Sequence, residues 1–144
     1  MTRRRSALAL STVLTFALGV GAEAVDFKGA AILDHACGKV SVKHMGLVNT
    51  GKMDDANLLS TKEMQEMWKK LPADERMMIS EMMKEMSKTE AQYATDIRAG
   101  GLLVVDGQAA TLTVTETTKD ANGTNTSTTT QKFRLAGTQC LITR

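Results

Sequence analysis

The side chains best suited to chemistry in this chain are His35, His44 and the methionines between Met45 and Met86. Imidazole changes charge near neutral pH, and thioethers are soft ligands that suit Cu(I). Met64 with Met67, and Met82 with Met86, stand three and four residues apart, which sets sulfurs side by side on a helix. A copper site would draw on His35, His44, Met77, Met82 and Met86. Packing is the stronger reading of the same residues. Only five of the residues are aromatic, and flexible methionines fill the gaps that rings would otherwise occupy. At about 100° per residue, Met78, Ile79, Met82, Met83 and Met86 share one arc, so this stripe is expected to face the core with Met77 outside it.

Acid and base catalysis would need His44 beside a carboxylate such as Asp34, Asp96 or Asp106. Nothing in their spacing requires that pairing, and Asp106 before Gly107 reads first as a turn former. The chain has no serine nucleophile elbow, no phosphate loop and no His-Glu-x-x-His zinc helix. Binding without catalysis is therefore the favoured function, with His44, Trp68 and Tyr93 as candidate ligand contacts. No cofactor is expected on this reading, copper being the alternative.

The N-terminus supplies an address. Arg3, Arg4 and Arg5 precede an apolar stretch from Ala7 to Val20, and Ala22-Glu23-Ala24 offers small residues for a signal peptidase. The apolar run is shorter than the roughly 20 residues that span a bilayer. Residues 1–24 thus read as a secretory signal peptide and 25–144 as a single domain, periplasmic or secreted in a Gram-negative type of cell, with no membrane anchor after cleavage. Processing also changes the charge. The full chain carries 18 Lys plus Arg against 16 Asp plus Glu. Cleavage removes three arginines and one glutamate, which leaves 15 against 15. The precursor pI near 8.6 is therefore no sign of nucleic-acid binding.

In an oxidising compartment, Cys37 and Cys140 are most simply a disulfide. They lack the close Cys-x-x-Cys spacing of a redox pair. Asn122-Gly123-Thr124 and Asn125-Thr126-Ser127 match glycosylation sequons, but turn chemistry explains them at a hairpin tip.

The elements that must position these residues follow from periodicity. Leu112 and Val114 alternate with threonines, and after Asp120-Ala121-Asn122-Gly123 the period of two resumes to Leu135. One long hairpin is expected, with positive φ at Asn122 and Gly123. Val40 to Leu59 reads as two helices broken at Thr50-Gly51, and Ser60 with Glu63 as a capping box. Met64, Met67, Trp68 and Leu71 lie on one face of the helix that box starts. Pro72 opens the next helix, ending near Ser87-Lys88-Thr89. Tyr93, Thr95, Ile97 and Ala99 alternate and read as a strand, followed by strands over Leu102–Val105 and Thr138–Thr143. Val25 to Lys39 stays open between a short strand and an irregular lead-in, because Gly29 and Gly38 interrupt helices.

This order, together with Asn49-Thr50-Gly51-Lys52-Met53-Asp54-Asp55-Ala56 and the turn-bearing stretch Val105 to Leu112, resembles the nuclear transport factor two-like superfamily of cone-shaped α+β domains, in particular its small exported bacterial members. The resemblance covers most of residues 40–143. It implies helices packed on a curved antiparallel sheet. It also implies either ligand or partner binding, or an isomerase or dehydratase working inside the cone. No catalytic motif matches residue by residue, so the resemblance carries the fold and no active site. The expected partner is a small molecule or a protein, with a second copy meeting the sheet as one arrangement.

Overall fold

In a computed structural model that describes residues 23–144, the chain is an α+β domain of six helices and a five-stranded antiparallel sheet. Strand β1 (Val25–Lys28) is followed by helices α1 (Ala30–Asp34), α2 (Ala36–Asn49), α3 (Met53–Asn57), α4 (Lys62–Lys70), α5 (Ala73–Met86) and α6 (Glu90–Gly100). A meander then runs through β2 (Gly101–Asp106), β3 (Ala109–Asp120), β4 (Gly123–Ala136) and β5 (Gln139–Thr143). The strands lie in chain order, with β1 on the outer edge of β2. The apolar part of the leader expected over residues 1–24 falls outside the described residues, and no described helix is long and apolar enough to cross a membrane.

The sheet obeys the period-two reading. Register places Leu103 beside Leu112, Val105 beside Ala110, and Phe133 between Ala110 and Ile142. All these side chains therefore share one face. On that face Leu103, Ala110, Leu112, Val114, Phe133, Cys140 and Ile142 form a single cluster with Ile32, Cys37, Tyr93 and Ile97 from the helices. The long hairpin β3–β4 closes through Ala121 and Asn122, since Asp120 pairs with Gly123. Gly123 has φ +134°, but Asn122 does not enter the left-handed region. The Asp120 carboxylate makes that unnecessary by accepting the Asn122 backbone N–H at 2.8 Å and the Asn125 amide at 3.1 Å.

Helices α1, α2 and α6 supply the cluster's helical side chains. Val25 to Lys39, ambiguous in sequence, resolves into β1, α1 and the start of α2. Gly38 sits inside α2 rather than ending it. A Cβ at that position would strike the Ile32 backbone carbonyl, so glycine lets α1 and α2 approach. Helix α2 ends as expected, with Gly51 at φ +75° beyond it.

Three further sequence expectations are corrected. The stretch Tyr93 to Ala99 is helix, not strand. Thr89 and Gln92 form a reciprocal capping box that starts α6, and Tyr93 and Ile97, four residues apart, both turn into the core. The box expected at Ser60 is not the start of α4. Ser60 is drawn into a parallel bridge with Ile142, and the N-cap position passes to Thr61.

The third correction concerns the methionine stripe. Helix α5 buries no residue fully, and Met78, Met82 and Met86 are 67%, 51% and 68% exposed. Its half-buried residues are instead Arg76, Ile79, Ser80 and Met83, a helical stripe rotated away from the expected arc. Apolar residues lie nearly all round α5, so hydrophobicity alone leaves the phase of burial undetermined. The architecture stands because the core needs no side chain from α5. Met77 is outside, as expected, at 65% exposure. Replacing Met78 and Met82 together by Gln is accordingly expected to change stability by less than about 1 kcal/mol in urea denaturation. A loss of several kcal/mol would place these side chains in a core.

The Cys37–Cys140 disulfide is formed, with Cα atoms 5.1 Å apart and both residues buried. It joins the first turn of α2 to β5 across 103 residues. Neither cysteine is left as a free thiol.

Candidate functional site

Two clefts divide the candidate residues. The first lies where α2, the end of α5, α6 and the β3–β4 hairpin meet, with a volume of ≈ 350 Å³. That is close to the lower end of the range for small-ligand sites. Its walls include His44, Met45 and Val48 from α2, Met83 and Met86 from α5, and Tyr93 from α6. Thr129 and Gln131 enter from β4.

Local structure explains how these side chains converge. In α2, Cys37, Ser41, His44, Met45 and Val48 recur at helical spacing, so the disulfide and the groove residues lie along one side of that helix. In β4, Thr129, Gln131 and Phe133 share the inner face. Gln131 thus reaches the helices from the same side as core Phe133. There the Ser41 hydroxyl donates to the Gln131 side-chain oxygen and also bonds the Tyr93 hydroxyl at 3.1 Å. This polar trio is satisfied, as buried polar groups must be. Burial raises the Tyr93 pKa, although the Ser41 bond pulls the other way. Tyr93 is therefore a neutral hydroxyl at physiological pH.

Lys88 closes one side of the groove. Its ammonium lies 2.7 Å from both Asp96 on α6 and Glu116 on β3. Desolvation works against the charged form, but hydrogen bonds and attraction from the two carboxylates outweigh it, and the pKa is raised. The Lys88 backbone N–H also donates to the Met45 sulfur at 3.5 Å.

His44 behaves differently. Burial lowers its pKa below the ordinary 6.5. The unfolded chain therefore takes up this proton before the folded one does. The stability tied to a neutral His44 is complete above about pH 6.5 and is lost as pH falls from there through the lower folded value. His44→Gln should flatten that part of a stability-against-pH curve measured by urea denaturation. An unchanged slope below pH 6.5 would show that His44 does not carry it.

The second cleft, ≈ 490 Å³, lies among α3, α4 and α5 and includes Asp54, Asp55, Trp68, Arg76 and Met77. Trp68 is buried there and donates its indole N–H to Asp54 at 2.7 Å. The structure thus brings His44 and Tyr93 together and places Trp68 elsewhere. It also disperses the copper set. The His35 ring packs on Phe27, and its Nδ1 accepts the Cys37 N–H at 3.1 Å as the N-cap of α2. Met77 belongs to the Trp68 cleft and Met82 faces solvent, which leaves His44 and Met86 in one groove, joined by Met83. Of the carboxylates considered as partners for His44, Asp96 is engaged by Lys88 and neither it, Asp34 nor Asp106 lines the groove.

Sequence reasoning missed Ser41, Met45, Lys88, Glu116 and Gln131. A signal was present for two of them. Ser41 and Gln131 are polar residues at phases where helix and strand otherwise turn inward, which marks a buried polar contact. Lys88 carried no such mark, because its partners come from α6 and β3.

No protein-family model, no curated protein and no solved structure matches this chain. The site defines its class by its contents: a half-open, thioether-walled groove over a satisfied polar floor, in a disulfide-bonded α+β domain.

Proposed function

We propose that this protein is an exported binding module that holds a small ligand, without transforming it, in the groove between α2, α5, α6 and the long hairpin. The observation that carries this reading is the composition of the groove. Met45, Val48, Met83 and Met86 offer apolar, adaptable wall, while Tyr93, Gln131 and Lys88 present a few fixed polar groups. The polar groups are already engaged with one another, in Ser41–Tyr93–Gln131 and in Lys88 with Asp96 and Glu116. Such networks orient a ligand, and the carboxylate that lines the groove, Glu116, is engaged by Lys88. Export follows from the leader over residues 1–24, and a buried disulfide is at home in an oxidising compartment.

A thermal-shift screen of a fragment library against the wild type and Met83→Trp tests the reading. Fragments that bind raise the wild-type Tm by mass action. They are expected to lose that effect in the variant, whose indole fills the groove. Equal shifts in both proteins, or none in the wild type, would refute it.

A further inference from the structure

The soft donors of the groove narrow the ligand's class. We propose that His44, Met83 and Met86 form a Cu(I) site; this rests on the groove being the binding site. Both cysteines are tied in the disulfide, so no thiolate is on offer. Among the described residues no group of three His, Cys, Asp or Glu could hold a harder ion. What lines the one groove is an imidazole from α2 and two thioethers from α5. Met83 and Met86 are three residues apart, which sets both sulfurs on neighbouring turns of one helix face. An imidazole with thioethers selects Cu(I) over Zn²⁺, Mg²⁺ or Ca²⁺.

Two further observations allow a cation there. The His44 ring lines the groove, and no hydrogen bond from a described residue occupies it. This separates it from His35, whose Nδ1 is committed to the cap of α2. The Lys88 ammonium is paired with Glu116, which lines the groove, and with Asp96 outside that lining, so its charge is compensated and does not oppose a cation there. Entry is open, because Met86 is 68% exposed while Met83 is half-buried behind it. Met45 is a weaker candidate ligand, its sulfur already accepting the Lys88 N–H.

The test is anaerobic competition for Cu(I) against bathocuproine disulfonate, in ascorbate, with the intact disulfide confirmed by mass. One Cu(I) per chain is expected. Met86→Leu, at an exposed position that folding does not need, and His44→Gln should each weaken binding at least tenfold, whereas Met78→Leu with Met82→Leu should change it less than twofold. Failure of the wild type to compete, or full affinity in Met86→Leu, overturns the proposal. The fragment screen on the same preparations separates the two claims. Fragments that bind with no copper competition leave the binding groove standing and remove the metal, whereas loss of both removes the groove itself.

Discussion

Replacing Cys37 and Cys140 together by Ala is expected to lower the stability of the domain by about 4 to 5 kcal/mol. The bridge closes a loop across 103 residues, and restricting the unfolded chain over such a length is worth about 4.7 kcal/mol in the chain-entropy account. Alanine is the informative replacement. Both sulfurs lie in the core, and serine would add the separate penalty of a buried hydroxyl without a partner. For a domain of this size the loss corresponds to a fall in Tm of about 15 °C or more. Because native domains are stable by only about 5–15 kcal/mol, the variant should sit near the limit of folding at 37 °C. Urea denaturation of the double variant and of the reduced wild type should give closely similar midpoints. A Tm within a few degrees of the oxidised protein would show that the helices and sheet hold together without the bridge.

Phe133→Ala is expected to cost about 3 to 5 kcal/mol. Phe133 is among the largest fully buried side chains, at the middle of the inner face, and register sets it between Ala110 and Ile142. Ala110 is too small to fill the space a lost ring leaves, and Ile142 is fixed by its neighbour strand and by the backbone bridge to Ser60. The cavity therefore stays largely open, which places the cost in the upper part of the range for large-to-small changes. The measurement is again the urea midpoint at constant slope. A cost below about 1.5 kcal/mol would mean that the sheet collapses onto the gap, and that the helical layer is looser than its packing implies.

The contrast between these residues and the methionines of α5 shows what the chain discloses about its own fold. Strands β3 and β4 are legible because alternation admits one solution: Leu112 and Val114 go in, and the intervening threonines go out. The break between α2 and α3 is legible because a residue at φ +75° calls for Gly51. The Cys37–Cys140 bridge is legible because two cysteines allow one pairing. By contrast, Tyr93 and Ile97 satisfy a strand's alternation and a helix's four-residue repeat equally well. The deciding feature is the Thr89–Gln92 box immediately upstream of Tyr93. Helix α5 fails differently. With methionine or isoleucine at 77, 78, 79, 82, 83 and 86, any of several faces could turn inward, and tertiary contacts select Ile79 and Met83.

The site follows the same division. His44 and Tyr93 stand out by residue type and do share the groove. Trp68 stands out equally and belongs to another cleft, because its indole is committed to Asp54 of α3. Residue type marks what a side chain can do; which side chains meet is decided by contacts between elements far apart in the chain, such as Ser41 with Gln131.

The most direct test of the proposed binding groove is methyl NMR on chains labelled with ¹³C at the methionine methyl, titrated with the strongest fragment from the thermal screen. Met45, Met83 and Met86 line the groove, while Met53 and Met77 line the Trp68 cleft, so the methyl signals report separately on the two places. The account predicts that the first three signals move and saturate together while the other two hold still. Movement of Met53 and Met77 with the groove signals unchanged would contradict it.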